Sequence, residues 1–184
     1  MSCHLDKPHD KYADFRSLLT RAPSAAEKDF YLREMGDSEE NFRVFLDIAL
    51  YEKDPLAWRA GWFLDSIDEE NPHLASGSVS KIVRALPRID SSGTLRCLLR
   101  LLSRHHIEER DQGLLIDLCF GYLSSELFPV AVKVHAMEII YNHVLIYPEL
   151  KEELVTLIRD QVDNNSVAFL ARGRKIIKKL EDAG

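Results

Sequence analysis

The chain has 184 residues, of which 46% are apolar and 29% are charged, and its 24 basic and 30 acidic side chains give a net charge of −6. This length allows a sizeable buried core, organised as one domain or as a short array of repeats. With only 8 glycines and 7 prolines, the composition excludes a collagenous, low-complexity or turn-rich β protein, and its apolar content argues against disorder.

The spacing of the cysteines and the absence of long apolar runs indicate the cellular compartment. Cys3, Cys97 and Cys119 are odd in number and widely spaced, so they predict reduced thiols and no disulfide framework. The N-terminal segment lacks the apolar core of a signal peptide, and no run approaches the roughly 18 apolar residues that cross a bilayer. We therefore expect a soluble, cytoplasmic protein that has no membrane partner.

Apolar residues recur at helical spacing along almost the whole chain, and strand-like alternation is absent. Capping residues and prolines divide the sequence into about ten helices. Asp37 or Ser38 is predicted to cap the third, Asp54-Pro55 to begin the fourth, and Ser91 or Ser92 to open the sixth, which ends near His105. The later helices are predicted at about 109–124, 129–147, 149–163 and 166–182. Short links between them predict antiparallel helical hairpins.

The hairpins repeat when the sequence is compared with itself at a shift of 37 residues. In the second helix of each hairpin, Trp58 aligns with Leu95, Val132 and Phe169. A basic residue follows three times, as Arg59, Arg96 and Lys133, and Leu170 replaces it in the fourth repeat. We therefore predict a single domain over 1–184, with a degenerate capping hairpin at 1–36 and four repeats of about 37 residues at 37–182.

The segments DPLAWRA (54–60) and PVAVKVHA (129–136) open second helices with Asp or Pro and continue with small and basic residues. In this they resemble HEAT repeats of the HEAT/armadillo superfamily, over about residues 37–182. The resemblance implies an all-α fold, a right-handed α-α superhelix (HEAT-like solenoid) of about five antiparallel helical hairpins. It also implies that an Asp in a turn pairs with the recurring basic residue, as in Asp54 with Arg59 or Asp90 with Arg96.

Trp58, Trp62 and Asp65 share one stripe of the fourth helix. We expect both tryptophans to pack between repeats, because their equivalents in the other repeats are apolar or small. Asp65 also aligns with apolar residues, namely Leu102, Ile139 and Ile176. It is therefore predicted as a buried acid, which either pairs with a neighbour such as Arg59 or a backbone amide, or marks a functional site.

The opposite face of the second helices is the candidate partner-binding surface, since residues half a turn from a buried stripe are the least buried. It begins apolar and becomes basic along the chain, which suits a protein partner because aromatic, Met and Arg residues concentrate at interfaces. The candidates are Phe63, Leu64, Ile67, Arg100, Leu101, Arg104, Met137, Tyr141, Arg174 and Lys178, with Glu138 and Lys175 beside them. If the apolar members are buried against the paired helix, the basic end near Arg174 becomes the better candidate.

Charge is segregated along the chain. Residues 37–70 hold ten acidic and three basic side chains, a net charge of −7, whereas residues 165–180 hold five basic and no acidic side chains. Basic residues near a helix C-terminus also oppose the helix dipole, so they do not by themselves identify a site. The net charge disfavours a dominant phosphate-binding surface, which needs a continuous basic track, so we do not expect nucleic acid as the main partner.

The sequence has no recognisable catalytic, cofactor-binding or metal-binding motif. The histidines and cysteines do not predict a set of metal ligands. The candidate groups are His105 with His106 on different helix faces, His135 with His143 two turns apart, and Cys3 with His4 and His9 near the N-terminus. We therefore predict no catalytic residue, no metal and no cofactor.

These patterns favour a non-enzymatic scaffold or adaptor that binds a protein or peptide partner. One alternative is a DNA-repair glycosylase or nucleic-acid-binding protein built on HEAT-like repeats, for which the resemblance implies Trp62, Asp65 and Arg100 as site residues. A second alternative is a small regulatory subunit that acts within an oligomeric complex.

Overall fold

The computed structural model describes residues 11–35, 37–161 and 166–182. In this part of the chain all regular structure is helical, which confirms the predicted all-α class. The α-helices are α1 (Lys11–Thr20), α2 (Ala25–Met35), α3 (Glu39–Tyr51), α4 (Leu56–Glu70), α5 (His73–Ser76), α6 (Val79–Ala85), α7 (Ser92–Leu102), α8 (Glu109–Ser124), α9 (Val130–Val144), α10 (Lys151–Asp160) and α11 (Val167–Asp182). None of these helices combines the length and apolar character needed to cross a membrane.

Local capping bonds begin the helices where the sequence predicts them. The Ser38 hydroxyl accepts a hydrogen bond from the Asn41 amide at the start of α3, and the Ser91 hydroxyl accepts one from the Thr94 amide at the start of α7. The Asp54 carboxylate likewise accepts from the Trp58 amide, at 3.3 Å, in the first turn of α4. The short α5 has no counterpart among the predicted helices.

The chain divides into two compact units, Met1–Ser76 and Gly77–Gly184, which we describe separately. In the N-terminal unit, α1 packs on both α3 and α4, and α3 and α4 form a hairpin. Its core is built around three stacked aromatic rings: Phe15 lies 4.6 Å from Phe45, and Phe45 lies 4.8 Å from Phe63, in each case with the planes 9° apart. The stack ties α1, α3 and α4 together.

The C-terminal unit contains three hairpins, α6 with α7, α8 with α9, and α10 with α11. Helix α9 packs against α8, its hairpin partner, and also against α7 and α11. Leu98, Ile140 and Phe169, one from each second helix, are completely buried. The three second helices of this unit therefore lie side by side, with α9 in the middle.

Two of the three recurring basic residues, Arg59 and Lys133, stabilise helix ends and do not pair with an aspartate. Arg59 donates to the Leu19 carbonyl at 2.7 Å, near the C-terminus of α1, and buried Lys133 donates to the Gln161 side chain at 2.7 Å. Gln161 in turn donates to the Leu123 carbonyl at the end of α8, at 2.9 Å. A cation at a helix C-terminus meets unpaired carbonyls and the negative end of the dipole, which accounts for this placement.

The aspartate pairs implied by the HEAT resemblance are therefore wrong for this chain. Within the described residues neither Asp54 with Arg59 nor Asp90 with Arg96 forms an ion pair, and Asp90 is exposed. Arg96 is exposed and lies 3.8 Å from the sulfur of Cys97.

Asp111 joins α6 and α8, which are the first helices of two consecutive hairpins. Its carboxylate, in the first turn of α8, accepts hydrogen bonds from the Ser80 hydroxyl and, at 2.9 Å, from the Arg84 guanidinium, both on α6. These bonds hold the pKa of the Asp111 carboxyl below its ordinary value, with the Ser80 bond as the largest cause. Asp111 is therefore ionised at neutral pH, and the charge stabilises the contact between α6 and α8.

We expect Asp111→Asn to lower the free energy of unfolding by about 1 kcal/mol at pH 7, because it weakens two hydrogen bonds to a charged group. The pKa of Asp111 is lower in the folded chain than its unfolded value of about 3.9, so the contribution is complete above that value and is lost as the pH falls through the folded pKa. Urea unfolding of both proteins between pH 7 and 2.5 tests this. The difference should shrink towards the acid end, and Asp117→Asn, at an exposed position of the same helix, should show none.

Candidate interaction surface

The structure buries the apolar half of the predicted partner-binding surface. Phe63, Leu64, Leu101 and Met137 have no exposed area, and Ile67 is 2% exposed. The prediction that these five residues form a surface is therefore wrong. The alternative, in which the apolar members pack inside the protein, is the one observed.

The reason is that the second helices are packed on several sides. Helix α4 contacts α1, α2, α3 and α5, and Phe63 is the third ring of the aromatic stack. The argument that residues half a turn from one buried stripe are exposed applies to a helix with a single packed face. A helix enclosed by neighbours has no such free face.

The polar half of the predicted surface does not form one continuous stripe. Arg100 is half-buried and Arg104 is exposed, while Arg174 and Lys178 are exposed on α11. In the repeat register, Arg100 and Arg174 are both equivalent to Met137, which lies fully buried on α9 between them. The basic residues of α7 and those of α11 therefore belong to separate places in the unit.

Helix α11 docks on α9 through an ionic contact. The carboxylate of Glu138 on α9 lies 2.6 Å from Arg172 and 3.8 Å from Lys179, two bases seven residues apart on α11. The ammonium group of Lys179 also lies 4.6 Å from the centre of the Tyr141 ring, within range of a cation–π interaction. Tyr141 is therefore half-buried beneath α11 and not a free surface residue.

The remaining bases of α11 form what we call the α11 basic surface, which consists of Arg174, Lys175 and Lys178. All three side chains are exposed, and none of them has a hydrogen-bonding or ionic partner among the residues that the structure describes. No acidic residue lies between positions 165 and 180. This is consequently a local concentration of positive charge on a protein whose net charge is negative, and the exposed acids Glu181 and Asp182 follow it at the end of α11.

Sequence reasoning overlooked Arg172 and Lys179, which fix the position of α11. Their spacing of seven places them on one helix face, with Lys175 at its edge and Arg174 and Lys178 farther round the helix, and that periodicity was the available signal. Their acidic partner, Glu138, lies 34 and 41 residues away in sequence and becomes their neighbour only through the packing of α9 on α11.

Asp65 and the tryptophans lie in the N-terminal unit. Asp65 is 6% exposed and takes part in a polar or electrostatic interaction, so its prediction as a buried acid is confirmed. Trp58 and Trp62 are half-buried. The ammonium group of Lys28, itself a buried residue of α2, lies 4.4 Å from the Trp62 ring centre and donates to the Ser66 hydroxyl at 2.7 Å, so this indole face is occupied.

Three of the four histidines of the C-terminal unit line a cleft of about 190 Å³. His105, His106 and His143 line it, whereas the sequence predicted that His105 and His106 point to different helix faces. The difference arises because α7 ends at Leu102, so that both residues lie in the following loop. His143 is buried, with its Nδ1 2.8 Å from the Ile139 carbonyl oxygen. Across the described residues no group of three or more histidines, cysteines or acids has the geometry to hold a metal ion.

A second cleft, of about 400 Å³, lies beside Lys133, and its lining includes Glu126, Phe128 and Asp160. Burial lowers the pKa of the Lys133 ammonium group. Its hydrogen bond to Gln161 links α9 to the ends of α8 and α10, which gives this lysine a structural role. The remaining candidate ligands, Cys3, His4 and His9, lie outside the described residues.

In the C-terminal unit, consecutive helical hairpins pack through their second helices and bury side chains at equivalent positions of the register, which defines an α-helical repeat protein. Comparison with known families identifies it further: the chain matches the HEAT repeat domain over residues 15–180, and it therefore belongs to the HEAT repeat family. The match begins within α1 and includes α2, and both helices precede the predicted register. The chain matches no curated protein, and it matches no solved structure.

Proposed function

We propose that this chain is a non-enzymatic scaffold that binds a protein partner through the α11 basic surface. The observation that carries the proposal is the set of three exposed bases on α11, Arg174, Lys175 and Lys178, which have no ionic partner among the described residues and lie next to a helix pair joined by an acid–base contact. Stacked helical repeats present extended surfaces for binding, so the family supports a role of this kind.

The enzymatic alternative, a HEAT-like DNA-repair glycosylase, has weaker support. Of its candidate residues, Asp65 is buried and already engaged, and one face of Trp62 is covered by Lys28. Such an enzyme would need an accessible acid and aromatic ring to act on an extruded base. A role as a regulatory subunit of an oligomeric complex is compatible with the proposal, since it also requires a protein-binding surface.

Affinity capture with two matched variants tests the proposed function. Lys175→Glu/Lys178→Glu reverses two bases of the α11 basic surface, and Arg33→Glu/Arg88→Glu reverses two exposed, unpaired bases elsewhere in the described chain, with the same change in net charge. We expect the native chain and the Arg33/Arg88 variant to recover the same proteins from a lysate of the producing cells, and the α11 variant to lose them. Equal recovery by all three proteins would contradict the proposal.

A further inference from the structure

The second helices of the C-terminal unit share a register stripe, which on α9 contacts the next second helix through Glu138. Two positions of this stripe are compared in the three helices: Cys97 and Leu101 on α7, Val134 and Glu138 on α9, and Ala171 and Lys175 on α11. The pair is buried on α7, half-buried on α9 and exposed on α11. Since α7 packs on α9 and α9 packs on α11, the stripe is covered wherever a second helix follows.

The contact between α9 and α11 shows how the stripe is used. Glu138 receives Arg172 and Lys179, and Tyr141 lies under Lys179. In the repeat register, the residue of α11 equivalent to Glu138 is Lys175, and the residue equivalent to Tyr141 is Lys178. The positions that accept the neighbouring helix on α9 are therefore occupied by lysines on α11, and no described residue packs on them.

The exposed stripe of α11 has an apolar half and a basic half. Val167, which is 83% exposed, and the exposed Ala168 and Ala171 occupy its first turns, and Arg174, Lys175 and Lys178 occupy the later turns. A solvated helix face needs polar or charged residues, and it is equally well served by a mixture of acids and bases. From Val167 to Leu180 the stripe carries bases only, and its first acid is the exposed Asp182, one turn beyond Lys178.

We propose that this stripe binds an acidic amphipathic helix of a protein partner, which packs on α11 as α11 packs on α9, with the charges reversed. The inference rests on the proposed function and specifies the partner. By the geometry of Arg172 and Lys179 around Glu138, two acids seven residues apart on the partner helix flank Lys175, while its apolar residues meet Val167 and Ala171. Helix-in-groove recognition of this type uses residues spaced along one helix face.

The charge distribution favours a protein partner over a nucleic acid. The cationic half of the stripe extends from Arg174 to Lys178, a rise of only about 6 Å along the helix. A nucleic-acid backbone needs a longer basic track, and residues 1–76 carry nine basic and sixteen acidic side chains, a net charge of −7. A short acidic helix with apolar neighbours matches the stripe in length, in sign and in the order of its two halves.

The probe is an Ala-rich, fluorescently labelled peptide of about 18 residues, long enough to form a helix, with two Glu seven residues apart and Leu on the same face. Its binding to the full chain is measured by fluorescence anisotropy at low salt, against a peptide of equal composition whose Glu residues lie on different faces. We expect the designed peptide to bind about tenfold more tightly than the scrambled one, and Lys175→Glu/Lys178→Glu to weaken it about tenfold, as two exposed ion pairs allow.

A charge swap separates recognition from a loss of folding. A peptide with Lys in place of the two Glu should bind the Lys175→Glu/Lys178→Glu variant better than the native chain, and Arg33→Glu/Arg88→Glu should bind the acidic peptide as the native chain does. Equal binding of the designed and scrambled peptides would overturn the inference. It would also be overturned if duplex DNA bound the native chain more tightly than the peptide does and did not bind the Lys175→Glu/Lys178→Glu variant. The same holds if the native chain associates with itself and this variant does not, because the stripe would then bind a second copy of the chain.

These outcomes are distinct from a failure of the proposed function. If the acidic peptide does not bind, but affinity capture still depends on Lys175 and Lys178, the α11 basic surface binds its partner in another form and only the acidic helix is wrong. If neither measurement depends on these lysines, both proposals fail.

Discussion

Phe45→Ala is expected to lower the free energy of unfolding by about 3–5 kcal/mol, the range for truncating a fully buried aromatic residue. Phe45 is 1% exposed and is the middle ring of the stack, with Phe15 4.6 Å away on one side and Phe63 4.8 Å away on the other. Its loss removes both ring contacts and leaves a cavity between α1, α3 and α4, which cannot close without moving a helix.

Tryptophan fluorescence during urea unfolding measures this effect selectively. Both tryptophans of the chain, Trp58 and Trp62, lie on α4, so their emission reports the N-terminal unit. Phe30→Ala is the matched control, because Phe30 is 53% exposed, and we expect its cost to stay below about 1 kcal/mol. A Phe45→Ala effect no larger than that of the control would show that the aromatic stack does not hold the unit together.

Gly173→Ala is expected to destabilise the C-terminal unit by about 1–3 kcal/mol, as overpacking of a tight core does. A Cβ atom at position 173 would lie 2.7 Å from Cγ2 of Ile158, a short branch of a side chain that is only 2% exposed. The close contact between α10 and α11 therefore depends on the missing side chain. This cost exceeds the gain of up to about 1 kcal/mol that alanine brings to a helix.

Gly113→Ala provides the matched control for this substitution. A Cβ atom at Gly113, in α8, has no other atom within 4 Å, so only the gain in helix propensity remains. We expect it to raise the free energy of unfolding by about 0.5–1 kcal/mol. Circular dichroism follows both variants during urea unfolding, since the C-terminal unit contains no tryptophan. Two substitutions with effects of the same sign would contradict the packing of α10 on α11 described above.

Most of the helices could be predicted because they depend on local signals. A serine that caps a helix, such as Ser38 or Ser91, acts within three residues of itself, and the repeat is visible as apolar residues that align at a fixed shift. These signals require no knowledge of which helices become neighbours. They gave the all-α class and the starts of helices such as α3 and α7 correctly, and they missed the short α5.

The buried faces could not be predicted in the same way, because burial depends on how many neighbours a helix has. Phe63 is buried by Phe45 of its own hairpin, which in turn stacks on Phe15 of α1. Helix α1 lies before the segment in which the repeat is recognisable, so the register gave no indication of this contact. Periodicity identifies the residues that share a face, and it does not count the faces that are covered.

For a related reason, only the basic part of the candidate surface could be predicted from the sequence. Arg174 and Lys178 stood out because the basic charge of the last helix is a property of composition. Arg172 and Lys179 differ from them because these two bases form ion pairs with Glu138 of α9. That contact exists only once the hairpins pack. The packing divides one basic segment into two bases that fix α11 and three that face outward.

Hydrogen–deuterium exchange of the chain bound to the partner recovered by affinity capture tests the central claim most directly. If the α11 basic surface is the binding site, peptides that cover α11 should exchange more slowly in the complex, while those that cover α2 and its Arg33 should be unchanged. The Lys175→Glu/Lys178→Glu variant, mixed with the same partner, should show no protection of α11. Protection confined to helices other than α11 would contradict the account.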